Sequence, residues 1–118
     1  MCREYADRIV ALANLLDQRY MECNDMEPQC EEMLSIAVAH PECRAELSSA
    51  FVEVSHIVYE AVEFCMHVLR WEEVRQTFQE QLKAAQAVDD WCAIPVLLSM
   101  LESFDDDWDG RDFWARFR

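Results

Sequence analysis

The sequence predicts an all-α protein: a compact bundle of about five to six helices, one domain over residues 1–118, built around a largely apolar central helix at about 49–70. Three observations carry that expectation. Hydrophobic residues make up 53% of the chain, above the roughly 45–50% of ordinary soluble proteins, so there is ample material for a core. One glycine and three prolines leave few places for tight turns. No run alternates strictly between apolar and polar residues, as a half-buried strand does, whereas spacings of three and four recur along the chain.

The first helix is expected from about Arg3 to Glu22, because Tyr5, Ile9, Leu12, Leu16 and Tyr20 form one stripe that Ala13 widens, opposite Asp7, Asn14 and Asp17. Asn24 and Asp25 suit a turn or cap. Pro28 fits a first helical turn, where its missing amide hydrogen is not needed, and the second helix then runs to about Ala39. His40-Pro41 ends it, since a residue before proline avoids helical angles.

From there to Ala87 neither proline nor glycine intervenes. One helix over that whole stretch would be out of scale with the domain, so interruptions are expected near Ser48-Ser49 and near Arg70-Trp71. Between them Glu53, His56, Glu60, Glu63, His67 and Arg70 recur at spacings of three and four and make one narrow polar stripe. Nearly everything else in that segment is apolar, which places it centrally, with the stripe as an exposed seam. The next helix, about Glu72 to Ala87, points Trp71, Val74, Phe78, Leu82 and Ala85 inward and Glu73, Gln76, Glu80 and Lys83 outward. Asp89 or Asp90 is expected to cap the following turn, and the last helix starts near Pro95 and buries Val96, Leu97, Met100, Leu101 and Phe104.

Charge bears most directly on function. Asp and Glu number 24 against 10 Lys and Arg, a formal balance of −14. Such a field repels nucleic acid and anionic membrane and attracts basic surfaces, so the expected partner is a basic protein or protein complex, with no direct nucleic acid and no membrane. Two clusters lack interspersed cations: Glu22, Asp25, Glu27, Glu31 and Glu32, then Glu102, Asp105, Asp106, Asp107 and Asp109. Part of the first has a structural explanation, because carboxylates favour the positive end of a helix. Arg111, Arg116 and Arg118 give the last residues the opposite sign.

The first residues lack the cationic start and apolar run of a secretory signal, and no segment has the length of a membrane span, so a cytoplasmic protein is expected. Accordingly the six cysteines, Cys2, Cys23, Cys30, Cys43, Cys65 and Cys92, are expected as buried reduced thiols.

Motifs for chemistry are incomplete. Asp105, Asp107, Asp109 and Gly110 match the opening of a calcium-binding EF-hand loop, but its twelfth position is Arg116 instead of a bidentate glutamate. Glu53 and His56 form a single Glu-x-x-His where di-iron bundles use two, and with Glu63 and His67 they offer a lesser, metal-binding reading. Cys23, Cys30, His40 and Cys43 have no Cys-x-x-Cys knuckle. No phosphate loop or nucleophile motif is present. No catalytic residue, metal or cofactor is assigned, and the chain is not expected to be an enzyme.

Near the end, Trp108, Phe113, Trp114 and Phe117 fit either as the last pieces of the core or as interface anchors; the anchor set comprises Trp108, Phe113, Trp114 and Arg116, residue types enriched at binding hot spots. The expected function is a small acidic inhibitor or adaptor that engages a basic surface, such as the nucleic-acid-binding site of a phage-defence (CRISPR-type) or nuclease complex, as a nucleic-acid mimic or by bulk. This rests on analogy with compact acidic blockers and immunity proteins. The alternative is an acidic secretion chaperone or immunity-type protein, with which a homodimer is compatible.

Overall fold

The computed structural model describes residues 1–18 and 23–118, backbone alone at 23 and 24. Among the described residues six α-helices follow in order: α1 (Cys2–Asp17), α2 (Cys23–Ala39), α3 (Arg44–Ser55), α4 (Tyr59–Leu69), α5 (Glu72–Ala87) and α6 (Ala93–Glu102). Short 3-10 turns occupy Pro41–Cys43, Asp109–Phe113 and Ala115–Phe117, and no described residue is in a strand. The all-α bundle that periodicity and composition predict is the fold observed. The expected end of the first helix, with Tyr20 and Glu22, lies outside the described residues.

Each helix buries its apolar stripe. Ile9, Leu12, Ala13 and Leu16 of α1 are buried, as are Val74, Phe78 and Ala85 of α5 and Leu97 and Met100 of α6. Helix α2 begins earlier than Pro28 suggests, so this proline lies inside the helix, at a position that forgoes one hydrogen bond. Helix α6 begins at Ala93, two residues before Pro95, with Cys92 as its N-cap residue, and the Ala93 N–H donates to Asp90 Oδ1 at 3.2 Å across the turn that precedes it.

The central segment is divided differently from the expectation. Helix α3 passes through Ser48 and Ser49 without a break, and the chain turns at His56–Val58 instead. There the Val54 carbonyl accepts both the Ile57 and Val58 N–H groups, at 2.9 and 2.8 Å, and Val58 adopts extended angles, φ −146° and ψ 91°. The turn buries the Val58 side chain and separates two packing partners: α3 lies on α1, and α4 lies on α2. The expected break at Arg70-Trp71 is present. Arg70 takes left-handed angles, φ 50° and ψ 44°, and its N–H donates to the Met66 carbonyl at 2.9 Å, closing the helix as a C-terminal cap does.

The thiol expectation is corrected at two positions. Cys2 and Cys43 form a disulfide, because packing of α1 against α3 brings the start of α1 to the 3-10 turn before α3. Tyr5 stacks on His40 beside this bridge, centroids 3.6 Å apart. Cys30 and Cys65 are buried thiols as expected, whereas Cys92 is exposed. No described helix is long and apolar enough to cross a membrane.

Candidate functional site: an acidic cleft under the C-terminal arm

Residues after α6 run back across α4 as an arm held by aromatic burial. Trp108 and Trp114 are 4% and 2% exposed. The Trp114 ring meets Phe64 edge-on at 4.9 Å, and Phe117 contacts Phe64, His67 and Trp108. Polar groups fix the register. The Ser103 carbonyl accepts from His67 Nδ1 at 2.8 Å, so Nδ1 carries the hydrogen; Arg70 Nη1 donates to Asp106 at 2.6 Å; and the Glu27 carboxylate accepts the Ala115 and Arg116 N–H groups at 2.7 and 3.1 Å. The stripe expected as a solvated seam is therefore, from Glu63 to Arg70, the seat of the arm.

This arrangement sorts the acidic residues that the sequence singles out. In the first cluster Glu27 holds the arm backbone, Glu31 pairs with Arg116, and Glu32 pairs with Arg8. Asp25 is exposed without an ion pair among the described residues, and Glu22 lies outside them. In the second cluster Asp106 pairs with Arg70. Glu102, Asp105, Asp107 and Asp109 are exposed, and none has an ion pair with another described residue. Of the two clusters, the second therefore keeps more unpaired acids among the described residues, at the end of α6 and in the turn after it. Glu4, Asp7, Asp17, Glu46, Glu53, Glu80, Asp89 and Asp90 are also exposed elsewhere on the surface.

The anchor expectation needs a parallel correction. Trp108 and Trp114 are committed to this chain's own core, and Arg116 to Glu31, because the arm folds back instead of projecting. Of the four, Phe113 is 65% exposed, and Arg116 keeps 40% of its side chain exposed while paired with Glu31.

Between α4, α6 and the arm lies a cleft of about 400 Å³. Tyr59, Trp108, Phe113 and Trp114 give it aromatic walls, and Glu60, Glu63, Glu102 and Asp109 line it with carboxylates. Glu63 is only 6% exposed, and Ser99 Oγ donates to its Oε2. Burial pushes the Glu63 carboxyl up to about 7; the Ser99 hydrogen bond opposes this, and the charges of Glu60 and Glu102 add to it. Burial also raises Glu60. The wall is tightly built at Gly110, where a Cβ would meet the Trp108 ring at 2.7 Å, so a residue without a side chain is required for this approach.

Sequence reasoning placed Glu60 and Glu63 on the stripe but missed their convergence with Glu102 and Asp109. A usable signal was the run Ala61 to Met66, in which Glu63 is the one ionisable residue among apolar side chains and cysteine. The metal reading fails geometrically: Glu53 belongs to α3, His56 to the turn that follows it, Glu63 and His67 to α4, and His67 is engaged by Ser103. Among the described residues no group of three or more His, Cys, Asp or Glu side chains could hold a metal ion. The EF-hand-like run is equally dispersed, since Asp109 begins a 3-10 turn.

A separate groove of about 740 Å³ between α5 and α6 is apolar, lined by Ala84, Ala85, Val88, Val96, Leu97 and Met100 among others. Trp91, in the turn joining those helices, is 75% exposed.

Fold and site define an acidic all-α bundle with a carboxylate-lined aromatic cleft, an arrangement suited to receiving positive charge. No protein-family model, curated protein or solved structure matches the chain.

Proposed function

We propose that this chain is a small acidic inhibitor or adaptor that engages a basic surface of a partner protein, such as a nucleic-acid-binding site in a phage-defence or nuclease complex. It works by occupancy, not catalysis. The observation that carries this reading is the exposed set Glu102, Asp105, Asp107 and Asp109 at the end of α6 and in the turn after it, without internal counter-ions among the described residues; Glu102 and Asp109 also line the cleft. Attraction over several ångströms speeds encounter, and the neighbouring exposed Phe113 supplies apolar contact once the surfaces meet. Glu27, Glu31, Glu32 and Asp106 play a different part, because their charges already serve this fold.

The test is affinity capture from the source organism with wild-type protein and an Asp105→Lys/Asp107→Lys variant, eluted by a salt gradient. A basic protein or complex should be retained by the wild type, leave at moderate salt and be lost from the variant. Equal capture by both proteins would overturn the reading. A cytoplasmic setting belongs to the same proposal, and the Cys2–Cys43 bridge bears on it, since such bonds are rare in reducing compartments. Alkylation of free thiols in freshly lysed cells, followed by mass spectrometry, reads which state exists there.

A second reading, an acidic secretion chaperone or immunity-type protein, is favoured by the α5–α6 groove and by exposed Val88 and Trp91. It requires the groove to hold an apolar segment or a second copy. A strict monomer in light scattering, with Trp91 fluorescence unchanged by amphipathic peptides, counts against it.

A further inference from the structure

The Glu63 cleft combines features that the outer acidic rim lacks. Glu63 is more than nine-tenths buried. Its Oε2 accepts from Ser99 Oγ, but its Oε1 has no donor and the carboxylate has no cation among the described residues, although it lines an open cleft. A carboxylate withdrawn from water without a counter-ion is costly, and a cation entering the cleft would remove that cost. The nearby arginines are directed elsewhere: Arg70 to Asp106, Arg111 to the Asp106 carbonyl and Arg116 to Glu31.

The walls narrow the choice of cation. Tyr59, Trp108, Phe113 and Trp114 line the same cleft as the carboxylates. Aromatic surface favours a cation that is planar and weakly hydrated, and a carboxylate with an open oxygen favours a donor fork; guanidinium meets both requirements, ammonium only the charge. Gly110 lets the arm backbone lie against the Trp108 ring, which fixes that wall before any ligand arrives.

We propose that the Glu63 cleft is the receptor for one arginine side chain of the basic partner. This deepens the functional reading above and rests on it: the exposed acids attract, and the cleft selects.

The probe is N-acetyl-arginine N-methylamide, followed through the indole resonances of Trp108 and Trp114, with sodium chloride of equal ionic strength as the control. Those two resonances should shift saturably with the arginine probe, several-fold more weakly with the lysine analogue, and not with the uncharged citrulline analogue. Glu63→Gln, which keeps an acceptor for Ser99, should weaken arginine binding about tenfold or more. Glu102→Gln and Asp109→Asn, at the rim, should each weaken it a few-fold and serve if Glu63→Gln does not fold. The groups lining the cleft with Glu63 are Glu60 on its own helix, Ser99 and Glu102 on α6, and Asp109 on the arm, with Tyr59 in the wall; protonation of Glu63 below about 7 should reduce affinity. Equal binding of citrulline, wild-type affinity in both Glu63→Gln and the rim variants, or no shift beyond the salt control would overturn the proposal. Salt-sensitive capture of a basic protein that survives Glu63→Gln but not Asp105→Lys/Asp107→Lys would leave the functional reading standing and remove the arginine receptor alone.

Discussion

Arg116 Nη1 lies 2.7 Å from Glu31 Oε2, a contact between residues 85 positions apart that closes the C-terminal arm onto α2. One helical turn earlier, Glu27 accepts two arm amide hydrogens. Opposite charges on α2 and on the C-terminal arm are therefore paired within the molecule, and of the two acidic clusters it is the one at the end of α6 and beyond that keeps most unpaired members among the described residues.

The first expectation separates the contributions that hold the arm. Both members of the Arg116–Glu31 pair keep more than a third of their side-chain surface in water, at 40% and 36% exposure, so Arg116→Ala should cost no more than about 1 kcal/mol. Trp114→Ala removes a 2%-exposed indole from the core and should cost about 3–5 kcal/mol. Urea denaturation of both variants measures the difference. A larger loss for Arg116→Ala would show that charge, not aromatic burial, anchors the arm.

Glu63 makes stability depend on pH with a definite sign. Its ordinary value is 4.5 and burial raises the folded value to about 7. The folded state therefore holds a proton that the unfolded state has released. This contribution is fully present below about 4.5, declines as pH rises, and is gone above about 7. Glu63→Gln should stabilise the protein by about 2–3 kcal/mol more above neutrality than in acid, relative to wild type. Melting curves of the two proteins across that window provide the check, and parallel pH profiles would contradict it.

Much of the architecture was legible because burial leaves a periodic trace. Ile9, Leu12 and Leu16 marked α1, and Val74, Phe78 and Ala85 marked α5, each by a stripe that the structure buries. The turn at His56–Val58 left no such trace. The polar spacing from Glu53 to Arg70 continues through it, and no glycine or proline marks it; the break follows from packing α3 and α4 on different neighbours. The cleft was hidden for a similar reason. Glu63 and Ser99 are 36 positions apart, and local pattern carries no information about which distant helix faces a carboxylate. The Cys2–Cys43 bridge likewise depends on how α1 meets α3.

That bridge should be a substantial part of the stability. It joins residues 41 positions apart, and closing a loop of that length restricts the unfolded chain by about 3–4 kcal/mol. Cys2→Ser/Cys43→Ser, or reduction of the wild type, should lower the denaturation midpoint accordingly. An unchanged midpoint after reduction would show that the bridge contributes nothing.

Gly110 offers a local test of the cleft wall. Gly110→Ala places a methyl 2.7 Å from the Trp108 ring atoms, so either the indole or the arm backbone must move, at about 1–3 kcal/mol. Trp108 should become more accessible to iodide quenching in the variant while α-helical circular dichroism stays constant. A Gly110→Ala protein with wild-type stability and quenching would mean that the wall is loosely packed.

The central claim is that unpaired acids after α6 draw in a basic partner, and the rate of association tests it most directly. With the protein recovered by salt elution as the analyte, the association rate constant of wild type and of Asp105→Lys/Asp107→Lys is measured at low and high ionic strength. The variant should associate on the order of tenfold more slowly at low salt, with the difference collapsing at high salt. Identical rates at both ionic strengths would contradict the account.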